Sequence, residues 1–353
     1  MLKVLHLNTE KTWRGGERQL WLQFRYATKT EQYLACRKSS AVFTRIGPFA
    51  KAAFELPMRS GVNPLTALRL VLICRKNHIS IIHAHSPKAL TLAFIASFFL
   101  RVKIVTTKRT SFPIRQNWLT LAKYKACALV ICVSEASRRV LAEGLPGVNH
   151  TVIPSAIEAI AKQADFKLPS ALTGHSEKLK VGYVAALSKE KNATTFLAVA
   201  EAVTKKKKDV LFLWVGDGDM MADVKLEVES RGLENKVLLP GFQSNIHEWM
   251  YSLDILFFPS FSEGFPTTIL DSFQLGVPVI ASNVGGIPEI ISDGENGLLS
   301  DPADTSTFIK GILQLIDDPA LLNKIRKNAM RSCEPHLAQN RIPQLESLYE
   351  KLT

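Results

Sequence analysis

Short apolar runs recur along the chain, each followed by a glycine turn or by helical spacing. Leu2 to Leu7, Ile79 to Ala84, Lys103 to Thr107, Ala128 to Ser134 and Val152 to Pro154 punctuate the first half. L-K-V-G-Y-V from Leu179, V-L-F-L-W-V from Val210, Val237 to Phe242, Ile255 to Phe258 and Val277 to Ala281 punctuate the second. Continuous runs of this kind suit parallel strands buried on both faces, so the pattern predicts an α/β protein. A helix is predicted from about Thr267 to Leu275, stopped by Gly276, with Pro266 suited to its first turn. Pro302 to Thr353 reads as helical, broken near Pro335, with Leu345, Leu348 and Leu352 on one apolar stripe. The longest apolar run, Ala89 to Leu100, holds 12 residues including Thr91 and Ser97, too few to span a bilayer, and reads as a core helix.

At 353 residues the chain is long for one core, which predicts two domains. Residues 158 to 178, with Pro169, Ser170, Thr173 and Gly174, read as the linker. A hydrophobic content of 46% with 22% charge fits a soluble globular protein. No signal-peptide pattern opens the sequence. The five cysteines (Cys36, Cys74, Cys127, Cys132, Cys333) are scattered and read as reduced core thiols of a cytoplasmic protein. Charge is uneven. Residues 1 to 160 carry 24 Lys and Arg against 7 Asp and Glu, and no acid occurs between Glu55 and Glu135. That interval holds 12 bases: Arg59, Arg69, Arg75, Lys76, Lys88, Arg101, Lys103, Lys108, Arg109, Arg115, Lys123 and Lys125. A one-sided field suits an anionic partner surface, though a solvated basic face fits it too. No nucleic-acid-binding motif accompanies it.

Residues 259 to 289 hold the sharpest chemistry. The strand ending at Phe258 leads to Glu263 and Gly264, and a second strand leads to Gly285 and Gly286. Both loops are expected at one sheet edge, where open α/β sheets bind ligands. Amides of Gly264, Phe265 and Thr267 together with the helix dipole favour an anion such as a diphosphate. Asp271 lies about one helical turn inside the predicted helix, roughly 6 to 7 Å along it, and the two carboxylates can hold separate parts of one ligand. An acid at a helix start plus an exposed Asp fits the same spacing.

S-E-G-F-P-x4-D, followed by G-V-P-V-I-A and V-G-G-I-P-E, resembles the donor site of bacterial glycosyltransferase family 4 (glycosyl transferases group 1). The resemblance implies two Rossmann-like domains facing across a cleft, the GT-B architecture, with a last helix crossing back to the first domain. It implies an N-terminal acceptor domain over 1–160, a C-terminal nucleotide-sugar domain over 175–335 and a returning helix over 336–353. It implies a retaining, metal-independent transferase without a cofactor. By resemblance Glu263 faces the donor sugar. Asp271, where the family has a second glutamate, faces the nucleotide ribose, so Asp271→Glu should be tolerated. Gly264, Phe265, Pro266 and Thr267 complete that loop.

Elsewhere the resemblance is looser. Gly15 and Gly16, expected just before a helix from Glu17, match the family's glycine loop near the donor diphosphate, flanked by Arg14 and Arg18. Lys191 matches a phosphate-binding lysine, and Tyr183 is read at the position of the family's arginine. Gly216 lies in a glycine turn expected near the donor. In H-A-H-S-P-K, His85 is placed at the cleft near the acceptor as a catalytic candidate with Glu263 and Lys191, and His83 is packed or functional. Lys108 and Arg109 stand where many family members have a histidine, suggesting help to the leaving phosphate or recognition of an anionic acceptor, with Arg14 alongside. Phe112, Ile114 and Trp118, interleaved with Arg115 and Lys123, suit a membrane interface or a helix anchor.

The expected partners are a nucleotide-sugar, a saccharide or lipid-linked acceptor and an anionic membrane surface, with no nucleic acid. The expected setting is cell-envelope polysaccharide or lipopolysaccharide synthesis, at the inner face of the cytoplasmic membrane. A sugar-nucleotide epimerase of similar fold and a non-catalytic polyanion binder are the competing readings.

Overall fold

Each apolar run becomes a strand because its residues have no polar side to offer solvent. Val210–Val215 is buried at every position, as are Ile81–Ala84, Leu129–Cys132, Ile255–Phe258 and Val279–Ser282. The computed structural model describes residues 1–58, 63–160 and 166–353. Arg59 and the 161–165 part of the expected linker lie outside the described residues. The chain divides into two units, Met1–Glu158 with Pro335–Thr353, and Ala159–Glu334.

Unit 1 holds strands β1 (Leu2–Asn8), β2 (Thr30–Arg37), β3 (Ala52–Leu56), β4 (Ile81–Ala84), β5 (Lys103–Lys108), β6 (Leu129–Cys132) and β7 (His150–Val152). They pair in the order β3-β2-β1-β4-β5-β6-β7, all parallel. Its helices are α1 (Gly15–Tyr26), α2 (Ala41–Ile46), α3 (Pro64–Asn77), α4 (Pro87–Ser97), α5 (Trp118–Lys125) and α6 (Glu135–Gly144). Unit 2 holds β8 (Leu179–Val184), β9 (Val210–Val215), β10 (Val237–Gly241), β11 (Ile255–Phe258), β12 (Val279–Ser282) and β13 (Leu298–Ser300). These pair as β10-β9-β8-β11-β12-β13, again all parallel. Helices α7 (Ala193–Lys206), α8 (Met221–Ser230), α9 (Ile246–Tyr251), α10 (Thr267–Gln274), α11 (Thr305–Asp317) and α12 (Pro319–Arg331) complete it. Strand order reverses between β1 and β4 and again between β8 and β11. Those two switch points, at the carboxyl ends of the strands, are where such sheets bind ligands.

The last helix, α13 (Ala338–Leu352), belongs to unit 1. Leu345 and Tyr349 pack on Val4, Ile81, Val105, Leu129 and Ile131, with Leu348 and Leu352 at the margin. Full burial of such a side chain is worth about 1.5 to 3 kcal/mol, so the predicted leucine stripe, joined by Tyr349, holds the helix on the sheet. The glycine pair differs from expectation. Gly15 and Gly16 form the first turn of α1, which Arg14 precedes, so the helix begins two residues early.

Candidate active site

In unit 2 the β8 and β11 ends meet at one carboxylate. Glu263 Oε1 lies 2.5 Å from Lys191 Nζ and accepts from Ser260 Oγ at 2.7 Å. Both charged side chains are largely shielded, at 17% and 11% exposed, so the pair is little screened. Asn192, at φ 61°, follows Lys191 and fixes its loop, donating to the carbonyls of Pro259 and Pro302. The Glu263 carbonyl accepts from the Gly286 amide at 3.4 Å, which brings the two predicted glycine loops together. The pairing of Lys191 with Glu263 was not visible in the sequence, which assigned them to different parts of the ligand.

Tyr183 does not occupy a ligand-facing position. Its ring is fully buried among Phe196, Trp214 and Phe258, and its hydroxyl lies 2.6 Å from Ser260 Oγ. It supports Ser260, and so Glu263, from below, and burial pushes its pKa well up. At the family's arginine position this chain thus has an uncharged core residue, whose side chain faces the buried side of β8. Asp271 is 4% exposed on α10, so it is not the exposed acid that spacing allowed. Phe265 and Pro266 are buried as well, and Gly264 and Thr267 are partly exposed. Pro266 precedes α10 rather than occupying its first turn.

Gly216 has φ 149°, and a Cβ there would stand 2.0 Å from the Ala185 carbonyl oxygen. Gly218 is equally close to the Leu187 carbonyl, at 2.2 Å. Both glycines let the β9 loop lie against the β8 loop that carries Lys191, which is a packing role.

In unit 1 the matching edge gathers polar groups from four elements. Asn8 Nδ2 donates to Glu17 Oε1 at 3.1 Å, and the Arg14 amide donates to Glu17 Oε2 at 3.1 Å. The Arg14 side chain is exposed, and Gly16 lies under the Arg109 side chain. Glu17 also attracts Arg109, whose guanidinium burial pulls down to a pKa of about 10. His85, 7% exposed, meets Arg109 Nη2 at 3.3 Å through Nδ1 and His6 Nδ1 at 2.9 Å through Nε2. His6 Nε2 bonds Gln32 Oε1, Gln32 Nε2 bonds Thr30 Oγ1, and Thr30 Oγ1 donates to Glu346 Oε1 at 2.7 Å.

The direction of that series follows from its end. Glu346, a buried carboxylate on α13, only accepts, taking the Lys29 amide at 2.8 Å and the Thr28 amide at 3.0 Å besides the Thr30 hydroxyl. The hydroxyl therefore accepts from Gln32, whose oxygen accepts from His6 Nε2–H. His6 Nδ1 is then bare and accepts from His85 Nε2–H, which leaves His85 Nδ1 to accept from Arg109. Burial lowers His6 to a pKa of about 4 and holds His83 and His85 well below 6.5, so all three are neutral at pH 7.

His83 is packed in the core. It is fully buried, with Nδ1 2.5 Å from the Tyr349 hydroxyl and Nε2 2.8 Å from Thr107 Oγ1. The three imidazoles each bring a nitrogen within 4.8 Å of the others. All six ring nitrogens already have protein partners, so they form a hydrogen-bonded cluster, not an open ligand set.

Lys108 and Lys123 turn inward, where a solvated basic face would have left them in water. His6, Gln32, Ser260 and Glu346 escaped sequence reading. The signal for His6 was a polar residue inside an otherwise apolar strand, and for Ser260 its three-residue spacing from Glu263.

These two edges match known families. The family described as Glycosyl transferases group 1 matches residues 167–332, and Glycosyltransferase Family 4 matches residues 23–159. The chain belongs to the group 1, family 4 glycosyltransferases. It is 24% identical over 358 residues to the UDP-Gal:alpha-D-GlcNAc-diphosphoundecaprenol alpha-1,3-galactosyltransferase of Escherichia coli, covering 93% of this chain and 91% of that one. It is 26% identical over 326 residues to the putative glycosyltransferase EpsD of Bacillus subtilis, covering 81% and 82%. The fold is that of Anabaena HepE (Alr3699), crystallised with UDP, at a TM-score of 0.85 and 20% identity over 99% of this chain and 100% of that one. As a glycosyltransferase with two Rossmann-like units it has the GT-B fold. Among the described residues no helix is long and apolar enough to cross a membrane.

Proposed function

We propose that this glycosyltransferase moves a sugar, with retention of anomeric configuration, from a nucleotide-diphosphate sugar held by unit 2 to a saccharide or lipid-linked acceptor held by unit 1. The observation that carries this reading is the Lys191–Glu263–Ser260 constellation at the β8/β11 switch point, beside the start of α10. Lys191 uses one N–H on Glu263, and its others are suited to diphosphate oxygens. The α10 amides and dipole add stabilisation where negative charge develops on the leaving group, so a divalent metal is not required. Glu263, oriented by Lys191 and Ser260, accepts hydrogen bonds from the donor sugar, and Asp271 supports that helix from inside.

In unit 1, His85 positions Arg109 rather than serving as a proton acceptor, since both its nitrogens are engaged. Arg109 and Lys108 meet an anionic acceptor. The E. coli relative's acceptor is diphosphoundecaprenol-linked, which supports a lipid-linked acceptor and a role in envelope polysaccharide or lipopolysaccharide synthesis. Attachment to an anionic membrane is favoured by an exposed stripe on α3, where Leu65, Leu68 and Leu72 lie beside Arg69, Arg75 and Lys76. Phe98 and Phe99 at the end of α4 extend it, the Phe99 carbonyl accepting from Arg75.

The test is nucleotide release from a panel of nucleotide-sugars with and without lipid-diphosphate-linked saccharides, with the product anomer read by NMR. Acceptor-dependent release with the donor's anomeric configuration is expected. An epimerised sugar formed without acceptor points to the epimerase instead, and no turnover with any donor points to a binding protein.

A further inference from the structure

A cavity of about 590 Å³ opens in unit 1 between the β5 end, α4 and α5. Four bases line it: Lys108, Arg109, Arg115 and Lys123. No carboxylate does. Lys108 and Lys123 are only 6% and 8% exposed. Lys108 Nζ donates to the Phe112 carbonyl at 2.8 Å, and Lys123 Nζ donates to Thr91 Oγ1 at 3.3 Å and the Pro87 carbonyl at 3.4 Å. Among the described residues neither has a carboxylate partner. Among the described residues the buried Arg109 Nε has no hydrogen-bond partner.

Neutral oxygens satisfy an ammonium's N–H groups without compensating its charge, and shielded cations are retained where an anion completes them. Two lysines and a guanidinium around one space call for more than one negative charge. Hydroxyl and amide side chains, Ser86, Thr106, Thr107, Thr110, Asn117 and Thr120 among them, share the rest of the lining with an apolar wall of Leu90, Ile114, Leu119 and Tyr124, and Phe112 stands at the rim. A small inorganic anion would leave that wall unused.

We propose that this cavity binds a phosphate or diphosphate group carried on an apolar chain, the charged end against Lys108, Lys123 and Arg109 and the chain along the α4–α5 wall. The inference rests on unit 1 holding the acceptor, and it identifies the part of the acceptor that is recognised. Arg115, exposed beside the opening, draws the anion in.

The experiment is titration calorimetry of the whole protein with farnesyl diphosphate, inorganic pyrophosphate and farnesol. Farnesyl diphosphate should bind about tenfold or more tightly than pyrophosphate, and farnesol should not bind measurably. Lys108→Met and Lys123→Met should each weaken farnesyl diphosphate by about tenfold, while the exposed control Lys205→Ala leaves it unchanged. Arg115→Ala, on the surface and so without risk to folding, should weaken it about threefold and disappear as an effect at high salt. Binding indifferent to Lys123→Met and Arg115→Ala overturns the site. Pyrophosphate binding as tightly as farnesyl diphosphate, with the same lysine dependence, overturns the apolar half. No step here needs turnover. Lysine-dependent binding without nucleotide release therefore counts against the transferase reading, and turnover with lysine-independent binding counts against this site.

Discussion

Glu346 and Arg109 stand at the two ends of one directed series of hydrogen bonds, running from a carboxylate on the last helix to a guanidinium at the end of β5. Glu346→Ala should leave two amides and the Thr30 hydroxyl without an acceptor, costing about 3 to 6 kcal/mol. Glu346→Gln keeps one acceptor oxygen and should cost about half as much. Urea denaturation measures both. If the series positions Arg109, Glu346→Gln should also lower kcat/KM at temperatures where it is fully folded.

Stability should fall in mild acid because His6 cannot take a proton without turning an N–H toward that of His85. Above pH 6.5 the folded and unfolded forms of His6 are both neutral. Between pH 6.5 and about 4 the unfolded chain binds a proton that the folded protein refuses, so stability drops as pH falls. His6 alone contributes about 3 kcal/mol over that window, and His83 and His85 act in the same direction. Denaturation midpoints of wild type and His6→Gln between pH 7.5 and 4.5 test this, the variant losing less on acidification.

Glu263→Ala and Lys191→Ala should each abolish most turnover while the protein stays folded. Each loses the charge-assisted Lys191–Glu263 bond, about 1.5 to 3 kcal/mol, and strands its partner, and Glu263→Ala removes the acceptor of Ser260 as well. The double variant should be little worse than either single one in a coupling cycle. Asp271→Glu, tolerable on the sequence reading, adds a methylene at a buried position and should cost about 1 to 3 kcal/mol of stability.

Activity should survive exhaustive chelation. On the proposed mechanism Lys191, paired with Glu263, and the α10 amides would supply charge stabilisation to the leaving diphosphate. A complete loss restored by magnesium or manganese would show that they do not suffice.

Vesicles with anionic lipid should sediment the protein at low salt, and binding should fall steeply toward 0.5 M salt, where screening shortens to about 4 Å. Leu68→Asp and Leu72→Asp on the exposed face of α3 should reduce it more than Trp118→Ala does. Equal binding to neutral vesicles, or indifference to these changes, would remove the membrane from the account.

Ten of the thirteen strands among the described residues, the two-unit α/β plan and the strand–loop–helix around Glu263 were legible in the sequence alone, whereas β2, β3 and β13 were not. Continuous apolar runs such as Val210–Val215 have one way to be buried, and a carboxylate placed between a strand and a helix start keeps that place in any such sheet. The tertiary structure decided what local pattern cannot carry. Only the β1–β4 and β8–β11 pairings bring His6 to His85 and Tyr183 to Ser260, residues 79 and 77 positions apart. Only the return of α13 to the first sheet gives Thr30 its acceptor, 316 residues away. Whether a lysine lies in water or against a cavity, as Lys108 and Lys123 show, depends on the elements packed around it and not on its neighbours in the chain.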